Sequence, residues 1–161
     1  MIKYRRLTAE EFNLFEKDFI RFLAANSIQA ADWQNLKSNS PEKVDELLDI
    51  FSDMVLEKVY NKAEYLLIVR PLEIHCFKMG EFSARLLGVK FKKPDLDLTK
   101  DDGLSGIFNS EESFLENNPE LFSLEKKYDK SKADEVYFLL KQGAEVVEKK
   151  WFVFLMNLKV I

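Results

Sequence analysis

The chain has 161 residues, 47% of them hydrophobic and 32% charged, which fits a soluble globular domain and excludes both the disordered and the membrane classes. Twenty-four basic against 28 acidic residues give a net charge of -4, which argues against sequence-independent binding to phosphate backbones. The opening MIKYRRLTAEEF has no apolar h-region, and the longest apolar runs, YLLIV and WFVFLM, fall far short of the roughly 20 residues that span a bilayer, so a cytoplasmic location is expected.

Thr8 followed by Glu11 forms a capping box, and Phe12, Phe15, Phe19 and Phe22 then recur at helical spacing, predicting one helix that ends near Asn26. Four buried phenylalanines are worth about 1.5–3 kcal/mol each before entropy is counted, so this stripe is a core element. A short helix is expected around Asp32 to Lys37. Ser40 then caps a longer one, with Pro41 at its first position and Val44, Leu47, Leu48, Phe51, Met54, Val55 and Val59 inward as far as about Tyr60.

After Asn61 the period changes to two. Residues 63–70, 72–79 and 83–91 read as three strands of an antiparallel meander. From 92 to 130 the pattern weakens around Pro94, Gly103, Gly106 and Pro119, and an irregular connection with a short helix through Ser110 to Asn117 is expected. Ser131 and Asp134 open a last helix, Gly143 stops it, and two closing strands are expected at 144–147 and 151–159.

The elements add up to an α+β fold with N-terminal helices packed on an antiparallel sheet and a C-terminal helix followed by two strands. One domain over 1–161 is expected: helical 1–60, strand meander 63–91, irregular connection 92–130, helix and strand pair 131–161.

His75 and Cys76, the only residues of their kinds, are adjacent in LEIHCFKM. On a strand they point to opposite faces, so they cannot form a catalytic dyad, and one of each cannot complete a zinc site. Cys76 reads as a buried hydrophobe and His75 as a partly exposed neighbour of Glu73 and Phe77. The acidic stretch DLDLTKDDG fails as a calcium loop, because Asp102 and Phe108 stand where the glycine and the bidentate glutamate are needed. No phosphate-binding glycine loop or nucleophile elbow occurs, and neither metal nor cofactor is expected. The lysines at 90, 92 and 93 and at 126, 127, 130 and 132 read as solvated surface.

The third helix carries Glu42, Asp45, Glu46, Asp49, Asp53 and Glu57 opposite its apolar stripe, several as like-charge pairs at i,i+4. A cationic partner would remove the conflict. It could come from Lys3, Arg5 and Arg6 or from a second protein, and Glu46, Asp49, Asp53 and Glu57 are the candidate binding residues.

The words YRRLTAEEF, FLAANSI, DIFSDMVLEKVY and KKYDKSKADEVYFLLKQG resemble an uncharacterised family of Bacteroidota proteins, a domain of unknown function, with Ser27 standing where that family carries glycine. The resemblance implies a bacterial cytoplasmic origin and transfers no activity. Three readings follow. The first is a non-enzymatic protein–protein interaction module, binding a partner or itself. The second is a small enzyme using carboxylates and His75 as an acid/base group. The third is nucleic-acid binding through a winged-helix-like C-terminal part.

Overall fold

The computed structural model describes residues 1–100 and 102–158. Asp101, within the acidic stretch 95–103, and Lys159, the last residue of the expected closing strand, lie outside the described residues. The chain is α+β: four helices precede a five-stranded antiparallel sheet, and further helices lie within and after it. It divides into two compact units, Met1–Val59 and Tyr60–Ile161.

The first unit is helical. Thr8 caps α1 (Ala9–Leu14): its Oγ1 accepts from the Glu11 N–H while the Glu11 carboxylate accepts from the Thr8 N–H, closing the box expected from sequence. The single expected helix is in fact two. It breaks at Phe15 (φ -108°), whose N–H is shared between the Glu11 and Phe12 carbonyls, and α2 (Glu16–Ala25) follows. No proline or glycine announces that break, and phenylalanines on both sides of it share one aromatic cluster. Phe12 and Phe19 meet edge to face at 5.8 Å, and both pack on Phe51 of α4 (Pro41–Lys62), which is fully buried. Trp33 of α3 (Ala30–Asn39) closes on Phe19 at 5.3 Å. These contacts add specific edge and stacking geometry to the burial of apolar area.

In the second unit β1 (Tyr65–Val69), β2 (Glu73–Met79) and β3 (Ser83–Phe91) form the expected meander. α5 (Gly103–Ile107) and α6 (Glu111–Leu115), the latter capped by Ser110, occupy the connection. The connection also contains a nine-residue strand, β4 (Pro119–Lys127), that pairs along the whole of β3. Sequence periodicity missed it because an edge strand with most of its residues exposed shows no single apolar face. Proline at its first position is no obstacle at an edge.

α7 (Lys132–Lys141) begins at Ser131, whose Oγ accepts from the Asp134 N–H. It ends at Gly143 in the left-handed region (φ 99°), with the Ala144 N–H donating to Leu139 O. β5 (Glu145–Val146) falls within the expected strand 144–147 and adds to β1, giving the order β4-β3-β2-β1-β5. The strand expected at 151–159 is instead α8 (Lys149–Asn157). A short run rich in aromatic and branched residues satisfies either period, and here Phe152, Leu155 and Leu158 are buried at three-residue spacing. The strand pair on which a winged-helix arrangement rests is therefore not formed.

One face of the sheet carries a continuous aromatic and aliphatic cluster, while Leu66 and Ile68 are buried on the other. Tyr65, Leu67, Ile74, Cys76, Leu87, Val89 and Phe91 point into that cluster, covered by Ile107 of α5, Phe114 of α6 and Phe152 and Leu155 of α8. No helix of the described residues is long and apolar enough to cross a membrane.

Candidate functional site

Asp45, Asp49, Asp53 and Glu57 of α4 are matched by the start of the same chain. Asp53 accepts from the backbone N–H groups of Lys3 (2.7 Å) and Tyr4 (2.9 Å), and Glu57 accepts from Lys3 Nζ at 3.1 Å and from the Tyr4 hydroxyl. Burial, then the bond to Glu57, push that hydroxyl up to about 12. Arg6 spans Asp49 (Nε to Oδ1, 2.8 Å) and Asp45 (Nη1 to Oδ1, 3.0 Å), so one guanidinium sits between two carboxylates a helical turn apart. Arg5 turns the other way and pairs bidentately with Glu11 at 2.7 and 2.8 Å. Of the four candidate binding residues, Asp49, Asp53 and Glu57 thus lie in this network. Glu46 is exposed and stands outside it. A basic segment of another protein would have to displace Arg6 and Lys3 to use this face.

His75 and Cys76 are separated as the strand reading requires. Cys76 is fully buried on the core face, and burial pushes its thiol up to about 12, far from a nucleophilic thiolate. His75 is on the opposite face, its ring edge-on to Phe122 at 5.8 Å. Its Nε2 is shielded from solvent 3.4 Å from Glu73 Oε2 but makes no hydrogen bond. Burial holds its pKa below the ordinary histidine value, partly opposed by the Glu73 charge. Among the described residues no three His, Cys, Asp or Glu side chains gather as a metal-binding group.

The feature that sequence reading missed is the edge of β4, which among the described residues pairs with β3 alone. Hydrogen-bond phase can be followed across the sheet. The Gly80 N–H donates to Ser83 O and the Phe91 N–H to Leu72 O, so odd-numbered residues of β3 bond to β2. The Tyr128 N–H donates to Phe82 O, so even-numbered residues of β3 and β4 bond to each other. Leu121, Ser123, Glu125 and Lys127 therefore direct their backbone N–H and C=O groups away from β3, at the end of the sheet order.

Residues 123–127 of this strand are all exposed. Glu120, Phe122, Leu124 and Lys126 share one face, with Leu124 59% exposed. α7 flanks that face: Lys126 Nζ lies 3.1 Å from Glu135 Oε1 and 6.0 Å from the ring of Phe138, itself 49% exposed. Unpaired backbone polar groups beside exposed apolar side chains are the physical requirements for adding a strand. The sequence signal was faint but present, in a short alternation that begins at a proline.

Searches among curated proteins and among solved structures returned no match. A family model described as a family of unknown function matches residues 1–160, and the chain belongs to that family, DUF6495.

Proposed function

We propose that the chain is a non-enzymatic protein-interaction module of the bacterial cytoplasm, and that it engages its partner through the free edge of β4. The observation that supports this is the unpaired, outward-directed backbone of Ser123, Glu125 and Lys127 beside the exposed side chains of Leu124 and Phe138. An added strand would gain main-chain hydrogen bonds along the edge and apolar contact on the α7 side. The acidic face of α4 is less suited to this role, because Arg6 and Lys3 already occupy most of it.

The test is Ser123→Pro. Proline at this position removes an outward N–H, leaves the β3–β4 ladder bonds in place, and is tolerated at an edge. A complex recovered by cross-linking the wild-type chain in its host should be absent for S123P while the far-ultraviolet circular dichroism is unchanged. A complex that survives the substitution in a folded protein would remove the edge from the account.

A further inference from the structure

We infer that the partner at the β4 edge is a second copy of this chain, paired antiparallel about a two-fold axis at Ser123. The inference rests on the interaction reading above and adds the identity and register of the partner. In this register Ser123 faces Ser123 of the second copy, and Leu121 faces Glu125, so the outward N–H and C=O groups of both strands meet as hydrogen-bonded pairs. The even-numbered residues then form the closer, non-hydrogen-bonded pairs on the α7 face. Leu124 lies opposite Phe122 of the second copy, and Lys126 lies opposite its Glu120.

Both relations occur twice by symmetry, which makes the surface self-complementary as an isologous contact requires. The charges also agree beyond the strand. Glu120 is already 3.5 Å from Lys92, and Lys126 3.1 Å from Glu135, so pairing would join the two bridges into one row of alternating sign. Moving the axis by one residue destroys this match. Centred on Leu124, it sets Lys126 against Phe122; centred on Phe122, it sets Leu124 against Glu120. Charges on an edge ordinarily repel foreign strands. Here they oppose most strands and fit this one.

The geometry predicts a ten-stranded sheet running through a dimer, tested by sedimentation of the purified full chain from about 1 to about 100 μM. Wild type should dimerise. Glu120→Lys and Lys126→Glu should each weaken the dimer about tenfold or more, since each places two like-charge pairs across the axis. Combining them restores opposite signs and should recover most of the affinity, and S123P should be monomeric. Because Lys126 also pairs with Glu135 in its own chain, E120K decides the matter if K126E folds poorly. A wild type that stays monomeric throughout, a dimer unaffected by S123P, or a double reversal no tighter than E120K would overturn the proposal. A monomeric chain whose host complex still vanishes in S123P would sink self-pairing alone and leave the edge as a site for another protein.

Discussion

The ring of Phe122 lies over Gly88, its cross-strand partner, so closely that a Cβ on Gly88 would fall 2.0 Å from Phe122 Cζ. The missing side chain of β3 is thus what lets the β4 aromatic lie flat across the sheet and meet His75 edge-on. Gly88→Ala should force the ring outward and destabilise the protein by about 1–3 kcal/mol, as overpacking does. Urea denaturation measures it. Unchanged stability would mean that the ring moves aside without loss.

The N-terminal strap on α4 makes a contrasting pair. Asp53→Ala removes the acceptor of two backbone N–H groups and should destabilise by about 1–2 kcal/mol, whereas Glu46→Ala, outside the network, should change stability by less than about 0.5 kcal/mol. Equal effects of the two would show that the strap contributes nothing beyond an ordinary exposed charge.

Ser27 occupies the left-handed region (φ 58°) just beyond α2, and its N–H donates to Ala24 O while the Ile28 N–H donates to Leu23 O. This is the helix-ending geometry that glycine adopts without steric penalty. Ser27→Gly should therefore raise stability by about 0.5–1 kcal/mol, against the usual direction of a substitution to glycine. A fall in melting temperature would refute this reading.

Glu11 and His75 make stability fall with acid in two separate pH ranges. Arg5, together with the capping bonds to Thr8, holds the Glu11 carboxyl down to about 2. A carboxylate with a lower folded than unfolded pKa adds stability above about 4.3, and that contribution is lost as pH falls from there toward 2. His75, held low by burial, is preferred neutral in the folded state, so stability should be flat above about 6.5 and decline below it. His75→Leu should abolish the upper decline and leave stability at pH 7 unchanged or higher, since it removes a shielded nitrogen without a hydrogen bond. Glu11→Gln should remove the lower one. Melting curves from pH 8 to 3 on both variants separate the two.

The meander and the long helix were legible because their apolar periods are strong: β3 runs over Ser83–Phe91, and Phe51 sits where the stripe of α4 puts it. The separation of His75 from Cys76 followed from strand alternation alone. Three features were not legible, each for a physical reason. The helix breaks at Phe15, a residue type with no breaker signature, so the local sequence gives no sign of it. WFVFLM satisfies both helical and strand periods, and burial under Phe108 and Phe114 of its neighbours selects the helix. β4 lacks a buried face of its own and is specified by pairing with β3, yet its order of charges, Glu120 before and Lys126 after Ser123, is what supports the proposed self-pairing. The acidic stripe on α4 was conspicuous, but the side chains facing it belong to residues some forty to fifty positions away.

The most direct test of the edge as the interaction surface is residue-resolved amide exchange by NMR at low and high protein concentration. The account predicts that the Ser123 and Glu125 amides, which face away from β3, exchange fast when dilute and become protected as concentration rises, while the Leu124 amide in the β3 ladder stays protected throughout. Ser123 and Glu125 exchanging equally fast at both concentrations would contradict self-pairing at this edge.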